Sequence, residues 1–410
     1  MNVCFQYDFH AVGQGLFASG CLYQANTRQP RFIWVYDCGC MPTVPPMDWT
    51  AKMNQLALFT RGKERIDLLT LSHFDNDHIT GVTALLARFQ VNTLMLPYVP
   101  LWERLLIAFA SNIGPGDERM GYFVDPVAYL QNIAGGGIGQ VIVVRPSEGE
   151  EPTESAGAPV TDPSGDRLWK LLARSEHPSA GDPLAQEFGK VAPQTEFLSS
   201  GQPLTVEGLW EFVPYNAKRS EEIAPRFTAD VEKLRDRLLS PQKASDIEAA
   251  LAALKAAYDD EFGSNARQRN ILSLFLYAGP VYPTWQENKL MSPFSTSFPF
   301  YPSRHPCYYR VHHHAPGHTR KCSLLYAGDG YLNTANTFDS LNFCLGAPRM
   351  TELGVVQVAH HGARGNWHAG LAAKLDPAFN VFSSRCWKAI SCRWSCNLRS
   401  LPGCRCRWRR

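Results

Sequence analysis

The chain has 410 residues, 45% hydrophobic and 19% charged, with 40 basic and 38 acidic side chains and a net charge of +2. That composition suits an α/β enzyme rather than a disordered or strongly phosphate-gripping protein. No uncharged apolar run approaches the ~18 residues of a membrane span. The first 30 residues lack a basic stretch followed by an apolar one, so no secretory signal is expected. Apolar Leu16–Tyr23 and Phe32–Tyr36 read as strands, and a helix is expected near Trp49–Thr60. Ile66, Leu68, Leu69 and Leu71 form a buried strand ending at Ser72, and Ile79, Val82, Leu85 and Leu86 give a helix beginning near Thr80. Thr93–Pro97 is a short strand, Leu101–Ile113 is helical, a second helix lies near Val124–Ile133, and Val141–Val144 closes this half. Residues 146–166, rich in Pro, Ser, Gly, Glu and Thr, read as a solvated linker, and Leu209–Val213 resumes the sheet.

Two insertions follow. Residues 215–266 predict two helices. Val231, Leu234, Leu238 and Leu239 line one face, Pro241 breaks the run, and Ser245-x-x-Glu248 is a capping box before Ile247, Leu251 and Leu254. Such a hairpin is either a lid over the site or plain surface packing. Residues 281–320 are rich in Pro, aromatics and His, including His312-His313-His314 and His318.

The turn between the buried strand and the helix carries His73, Asp75, Asp77 and His78 within six residues. Imidazoles and carboxylates packed so tightly repel or stay unsatisfied unless a cation neutralises them. A helix cap would explain one Asp and neither His.

This H-x-D-x-D-H pattern after an apolar strand resembles the metal-binding signature of the metallo-β-lactamase fold, with Asp75 in place of the usual middle His. With Ser72 before it and Gly81 after it, it is most similar to the soluble domain of the DNA-uptake channel protein ComEC and its stand-alone relatives. Further motifs follow in that family's order: Val12-Gly13-Gln14-Gly15, Asp37-Cys38-Gly39, Asn270-Ile271-Leu272-Ser273, Gly328-Asp329 and His360-His361-Gly362. The resemblance implies an αββα sandwich over residues 1–384, two mixed sheets flanked by helices, interrupted by the two insertions. It implies two divalent ions, Zn or Mn. His73 and Asp75 would hold the first and Asp77 and His78 the second, with Asp329 bridging both. His360 or His361 would complete the second site, with His360 favoured. Asp37 would hold a ligand imidazole from behind. Asn270 and Ser273 would bind a substrate phosphate or merely satisfy the strand end. His318 lies in a stretch similar to the T-P-G-H-T of the wider superfamily. Yet the strand Cys322–Gly328 separates it from Asp329 by roughly 23 Å, so it is not expected in the site.

The implied function is metal-assisted hydrolysis by a metal-bound hydroxide oriented by Asp77, with Asp77 and Asp329 as catalytic groups. A phosphodiester, DNA among the candidates, is the first substrate expectation. A small ester, thioester or phosphonate is the second, because a fold does not fix a reaction. An inactive binding module with a damaged end is the third. The scattered cysteines (Cys4, Cys21, Cys38, Cys40, Cys307, Cys322 and Cys344) suit a reducing compartment, and a cytoplasmic protein without membrane partners is expected.

Residues 385–410 stand apart. From residue 386 on they hold Lys388, Arg393, Arg399, Arg405, Arg407, Arg409 and Arg410 with no acid, so residues 1–385 carry 33 basic against 38 acidic side chains, or −5. Five cysteines (Cys386, Cys392, Cys396, Cys404, Cys406) and three tryptophans crowd the same stretch without periodicity. The family's glycine- and asparagine-bearing loop and its His-Pro pair have no match here. The stretch reads as GC-rich coding DNA out of frame, with a cysteine-rich metal knuckle or nucleic-acid arm as the rival.

Overall fold

The computed structural model describes residues 3–24, 29–42, 45–135, 137–149, 169–177, 182, 187–188, 194–217, 225–239, 243–262, 273–281, 309–311, 323–368, 370–375, 377 and 379–383. Asn270, His312–His314, His318, most of the 146–166 linker and the Cys/Arg-rich tail lie outside the described residues.

Among the described residues the strands form two sheets. The first runs β12 (Tyr309–Val311), β1 (Val3–Phe9), β2 (Phe17–Gln24), β3 (Pro30–Cys38), β4 (Arg65–Thr70), β5 (Gln90–Pro97), β6 (Ile138–Val144) and β8 (Thr195–Leu198). From β3 to β8 the pairing is parallel, and from β12 to β3 it is antiparallel. The second runs β15 (Phe379–Val381), β14 (Leu353–Gln357), β13 (Ser323–Tyr326), β11 (Leu274–Pro280), β10 (Trp210–Asn216), β9 (Leu204–Val206) and β7 (Leu171–Leu172). Its β13–β14–β15 part is parallel and the rest antiparallel.

Side-chain alternation sorts each strand between two apolar layers. Phe32, Trp34 and Tyr36 of β3 meet Leu274, Leu276 and Ala278 of β11 and Leu324 and Tyr326 of β13 between the sheets. Their neighbours Ile33 and Val35 face helices α1 (Trp49–Phe59), α3 (Val82–Leu86) and α4 (Leu101–Ala110). Phe275, Tyr277 and Leu325 face the helices Ala335–Leu345 and Leu371–Leu375 on the far side. The result is the αββα sandwich of two mixed sheets flanked by helices that the resemblance implies. Polar links tie the sheets: Trp34 Nε1 donates to Tyr326 Oη (3.0 Å), and Tyr36 stacks on Tyr326 at 4.5 Å. At the carboxyl ends of the parallel strands, Leu274 N donates to Ser72 O (2.7 Å) and Asn216 Nδ2 to Tyr98 O and Val144 O. The two sheets therefore close on each other where the metal-type residues lie.

Several elements differ from expectation. The helix expected near Thr80 begins earlier. A short turn α2 (Asn76–Ile79) carries Asp77 and His78 themselves, closed by His78 N donating to Asp75 O (3.0 Å), and α3 follows. The helix expected near Val124–Ile133 is two, α5 (Met120–Val124) and α6 (Pro126–Ile133). Asp125 caps the second through the Ala128 N–H, and Pro126 begins a helix readily but cannot continue one.

The first insertion starts later than expected, because β10 runs to Asn216. It then forms α7 (Pro225–Leu239) and α8 (Ala244–Phe262), the latter beginning one residue before the expected cap Ser245. Phe227 and Tyr258 pack on Phe109 of α4 at 6.3 and 5.6 Å, so the hairpin rests on the outer helical layer. Part of the second insertion, Tyr309–Val311, adds an edge strand to β1, which the sequence does not announce. No helix among the described residues is long and apolar enough to cross a membrane.

Candidate metal centre

Four strand ends supply the site. The turn after β4 supplies His73, Asp75, Asp77 and His78, and β3 ends in Asp37. The turn after β13 supplies Asp329, and the turn after β14 supplies His360 and His361. All lie at the carboxyl ends of their strands, the end at which open α/β sheets present ligand-binding groups.

The backbone is bent to bring them together. Asp37, His360 and His361 have φ of 56°, 48° and 54°, three of the six left-handed non-glycine residues among those described. Each such residue stores strain that packing must offset, and such strain concentrates at functional sites. Gly39 lies directly beneath α2, where a Cβ would strike the His78 and Ile79 backbone at 2.5 Å or less. Gly328 (φ 51°) allows the turn that presents Asp329. That turn is clamped from behind. Gln357 Oε1 accepts from Ala327 N and Gly328 N (both 2.8 Å), and Asn366 Nδ2 donates to Asp329 O (3.1 Å).

The ligand-type atoms converge in two overlapping groups, each with its atoms within 4.8 Å of one another. One is Asp77, His78, Asp329 and His361, and the other is His73, Asp75 and Asp77. The sequence reading places Asp77 with the second ion alone; it falls in both groups because it shares one short turn with His73 and Asp75. The Asp329 carboxylate faces both halves. Its Oδ1 lies 3.1 Å from His78 Nε2 and 3.7 Å from His361 Nε2, and its Oδ2 lies 3.7 Å from His360 Nε2 and 4.0 Å from His73 Nε2.

The sequence reading favours His360 for the second group; the structure puts His361 there, 2.9 Å from Asp77 Oδ2. The two successive left-handed residues turn His361 inward, while His360 stands on the His73 side with its Nδ1 buried and unpartnered. Ser273 Oγ accepts from Asp329 N (3.1 Å), so it satisfies the strand end.

The imidazoles are fixed from behind. His361 Nδ1 donates to Ser383 O (2.7 Å) and His78 Nδ1 to Asp37 Oδ2 (2.7 Å). Ser72 N and Oγ both donate to Asp37 (2.6 Å each), and His73 Nδ1 lies 2.8 Å from Ser72 Oγ. With Nδ1 of His73, His78 and His361 occupied, the Nε2 of each ring is the nitrogen left to face the carboxylates. Lone pairs facing carboxylates at about 3–4 Å repel unless protons or cations lie between them.

The titration behaviour expresses this. Burial alone would lower His78, but Asp37 and Asp329 raise it well above its usual value. Burial, then His78, lowers His73 to about 3. Burial pushes the Asp77 carboxyl up, but the hydrogen bond from His361 and the charges of His78 and His73 bring it down to about 2. Asp329, likewise opposed by burial, is held far below the carboxylate range by His78 and His73. Two ionised carboxylates thus face imidazole nitrogens inside the fold, and His73 Nε2 is buried without a hydrogen-bond partner. The donor set and the orphaned nitrogen fit a divalent metal.

Sequence reasoning marked Ser72 only as part of the motif and missed its role as a support. It missed Gln357, Asn366 and Ser383 altogether, whose only signal is local polarity at strand ends, which ordinary caps share. It also missed Tyr331, half-buried, whose phenol is raised by burial and then by Asp329 and Asp75.

No protein-family model matches the chain, and no curated protein matches it. Among solved structures, the metallo-beta-lactamase fold protein YhfI from Bacillus subtilis is similar at 8% identity, covering 94% of this chain and 88% of that one with a TM-score of 0.32. A superposition that loose does not bear on the chemistry.

Proposed function

We propose that this chain is a metal-dependent hydrolase holding two divalent ions, Zn or Mn, and acting on phosphodiester bonds. The observation that carries the reading is the split of the Asp329 carboxylate between two sets of inward-facing imidazoles. Asp77, His78, His361 and Asp329 Oδ1 would hold one ion. His73, Asp75 and Asp329 Oδ2 would hold the other, with His360 beside them. Three carboxylates among the donors harden the site, which makes Mn suitable beside Zn. Ions bound there would supply Lewis-acid polarisation of the attacked group and a lowered pKa for water.

The chain's own groups prepare that chemistry. Asp37 and Ser383 keep the Nδ1 protons of His78 and His361 on the far side of the rings. Asp77 and Asp329 stay ionised at neutral pH. Burial of His73, His78 and Asp329 to 2% exposure or less excludes bulk water and keeps the electrostatics strong. A paired site suits an in-line displacement at phosphorus, where attacking and leaving oxygens both need stabilising. The motif similarity to a DNA-processing domain supports the same substrate class. The −5 charge of residues 1–385 favours a second reading, a small ester or thioester.

The test is metal analysis followed by assays on bis-p-nitrophenyl phosphate, single-stranded DNA and p-nitrophenyl acetate. Metal-dependent cleavage of the first two, abolished by EDTA, is the expected result. Cleavage of the acetate alone establishes the second reading. Protein that binds neither Mn²⁺ nor Zn²⁺ after reloading overturns the metal assignment.

A further inference from the structure

Asp37 touches His78 but not His73, yet both imidazoles present Nε2 to the same carboxylate. The connection runs through Ser72. Its backbone N–H donates to Asp37 Oδ1 and its hydroxyl to Asp37 Oδ2, both at 2.6 Å. A hydroxyl has one proton, so with that proton on Asp37 the Oγ lone pairs remain to accept. His73 Nδ1 lies 2.8 Å away and can only donate to it. His78 Nδ1 is nearer Asp37 Oδ2 (2.7 Å) than Ser72 Oγ (3.3 Å), so its proton goes directly to the carboxylate. The other candidate acceptor for His73, Ser273 Oγ, is 3.5 Å distant and already accepts from Asp329 N. Ser72 and Asp37 are wholly buried, so water cannot substitute for either.

We propose that Ser72 is a positioning residue that extends the reach of Asp37 to His73, fixing the Nδ1–H tautomer of that ring so that its Nε2 lone pair is available to a metal. One buried carboxylate thereby orients an imidazole in each half of the site, directly for His78 and through a hydroxyl for His73. The inference rests on the metal-centre reading for its purpose, but the tautomer itself is a property of the metal-free protein. A serine serves here because its oxygen donates and accepts at once; alanine removes both functions with little loss of volume.

The test uses full-length metal-free protein labelled with ¹⁵N-histidine. His73 is assigned among the 12 histidines by substitution, and its ring tautomer is read from long-range ¹H–¹⁵N correlations. Wild type is expected to show His73 protonated at Nδ1. Ser72→Ala is expected to shift the ring towards the Nε2–H form and to weaken metal binding by about 10–100-fold, the usual cost of losing a group that orients a ligand. Ser273→Ala is expected to leave the His73 tautomer unchanged. Ser72→Cys, with a weak donor and acceptor, should fall between alanine and wild type. A Ser72→Ala protein whose His73 signals match wild type overturns the proposal, as does a tautomer change produced by Ser273→Ala instead. If the wild type shows the Nδ1–H form but binds no metal, the metal-centre reading fails while the Ser72 relay stands.

Discussion

Asp329→Ala gives the most searching test of the two-ion arrangement, because one side chain serves both halves. Its oxygens lie 3.1 and 3.7 Å from His78 and His361, and 3.7 and 4.0 Å from His360 and His73. The group is 2% exposed, so solvent screens it little. Losing a group that only orients a ligand costs about 10–100-fold in metal affinity, so losing a carboxylate that itself faces both positions is expected to weaken binding by about 100-fold or more. Because the two oxygens face different imidazoles, that loss is expected at both positions together. At a fixed saturating concentration the same change removes about 2.7 kcal/mol of metal-dependent stabilisation for each ion affected. Equilibrium dialysis over a series of free Mn²⁺ or Zn²⁺ concentrations, with metal content measured per chain, reads the first quantity. Melting with and without EDTA reads the second. Asp329→Asn, which keeps the shape and loses the charge, is expected to follow the alanine variant within a few-fold. Retention of one ion at wild-type affinity would refute the reasoning, since Asp329 would then serve a single position.

Asp77→Asn is expected to lower turnover by about 100-fold or more with circular dichroism unchanged, because the amide keeps the hydrogen bonding but not the charge; turnover within a few-fold of wild type contradicts its role. His361→Ala should remove one ion per chain, whereas His360→Ala should leave the ion held by Asp77 and His78 in place, and metal counting separates the two. A third expectation concerns stability. His10, buried, stacked on Phe17 and bonded to Ser19, is lowered to about 3 by burial and then by Lys52. Its folded pKa lies below the unfolded value of 6.5, so the stability it contributes is full above that value and falls as pH drops. Between pH 7.5 and 5 the loss is about 2 kcal/mol, from about 1.5 pH units at 1.36 kcal/mol each. Urea unfolding in EDTA should show a difference of that size between wild type and His10→Gln, and equal slopes would remove His10 from the account.

Much of the sandwich was legible because strands buried on both faces leave continuous apolar runs. Phe32–Tyr36, Thr93–Pro97 and Val141–Val144 all lie within strands that extend a few residues further. The H-x-D-x-D-H turn was legible for a similar reason: His73, Asp75, Asp77 and His78 are placed by local chain geometry, six residues on one turn. Less was legible where a short segment takes its form from a partner strand. Tyr309–Val311 is ordered by pairing with Tyr7–Phe9, and nothing in its own residues announces that.

The sequence by itself determined that imidazoles and carboxylates would be concentrated beside a buried strand, since adjacency along the chain forces adjacency in space. Tertiary structure decided which distant groups meet them. The choice of His361 over His360 turns on two left-handed backbone angles at the end of β14, and the split of Asp329 turns on how β13 lies across from β4. The joining of Asp37, Ser72 and His73 into one relay depends on contacts across 35 residues of chain. These are matters of a few ångströms and single rotations, set by how the two sheets pack together, and no periodicity along the chain encodes them.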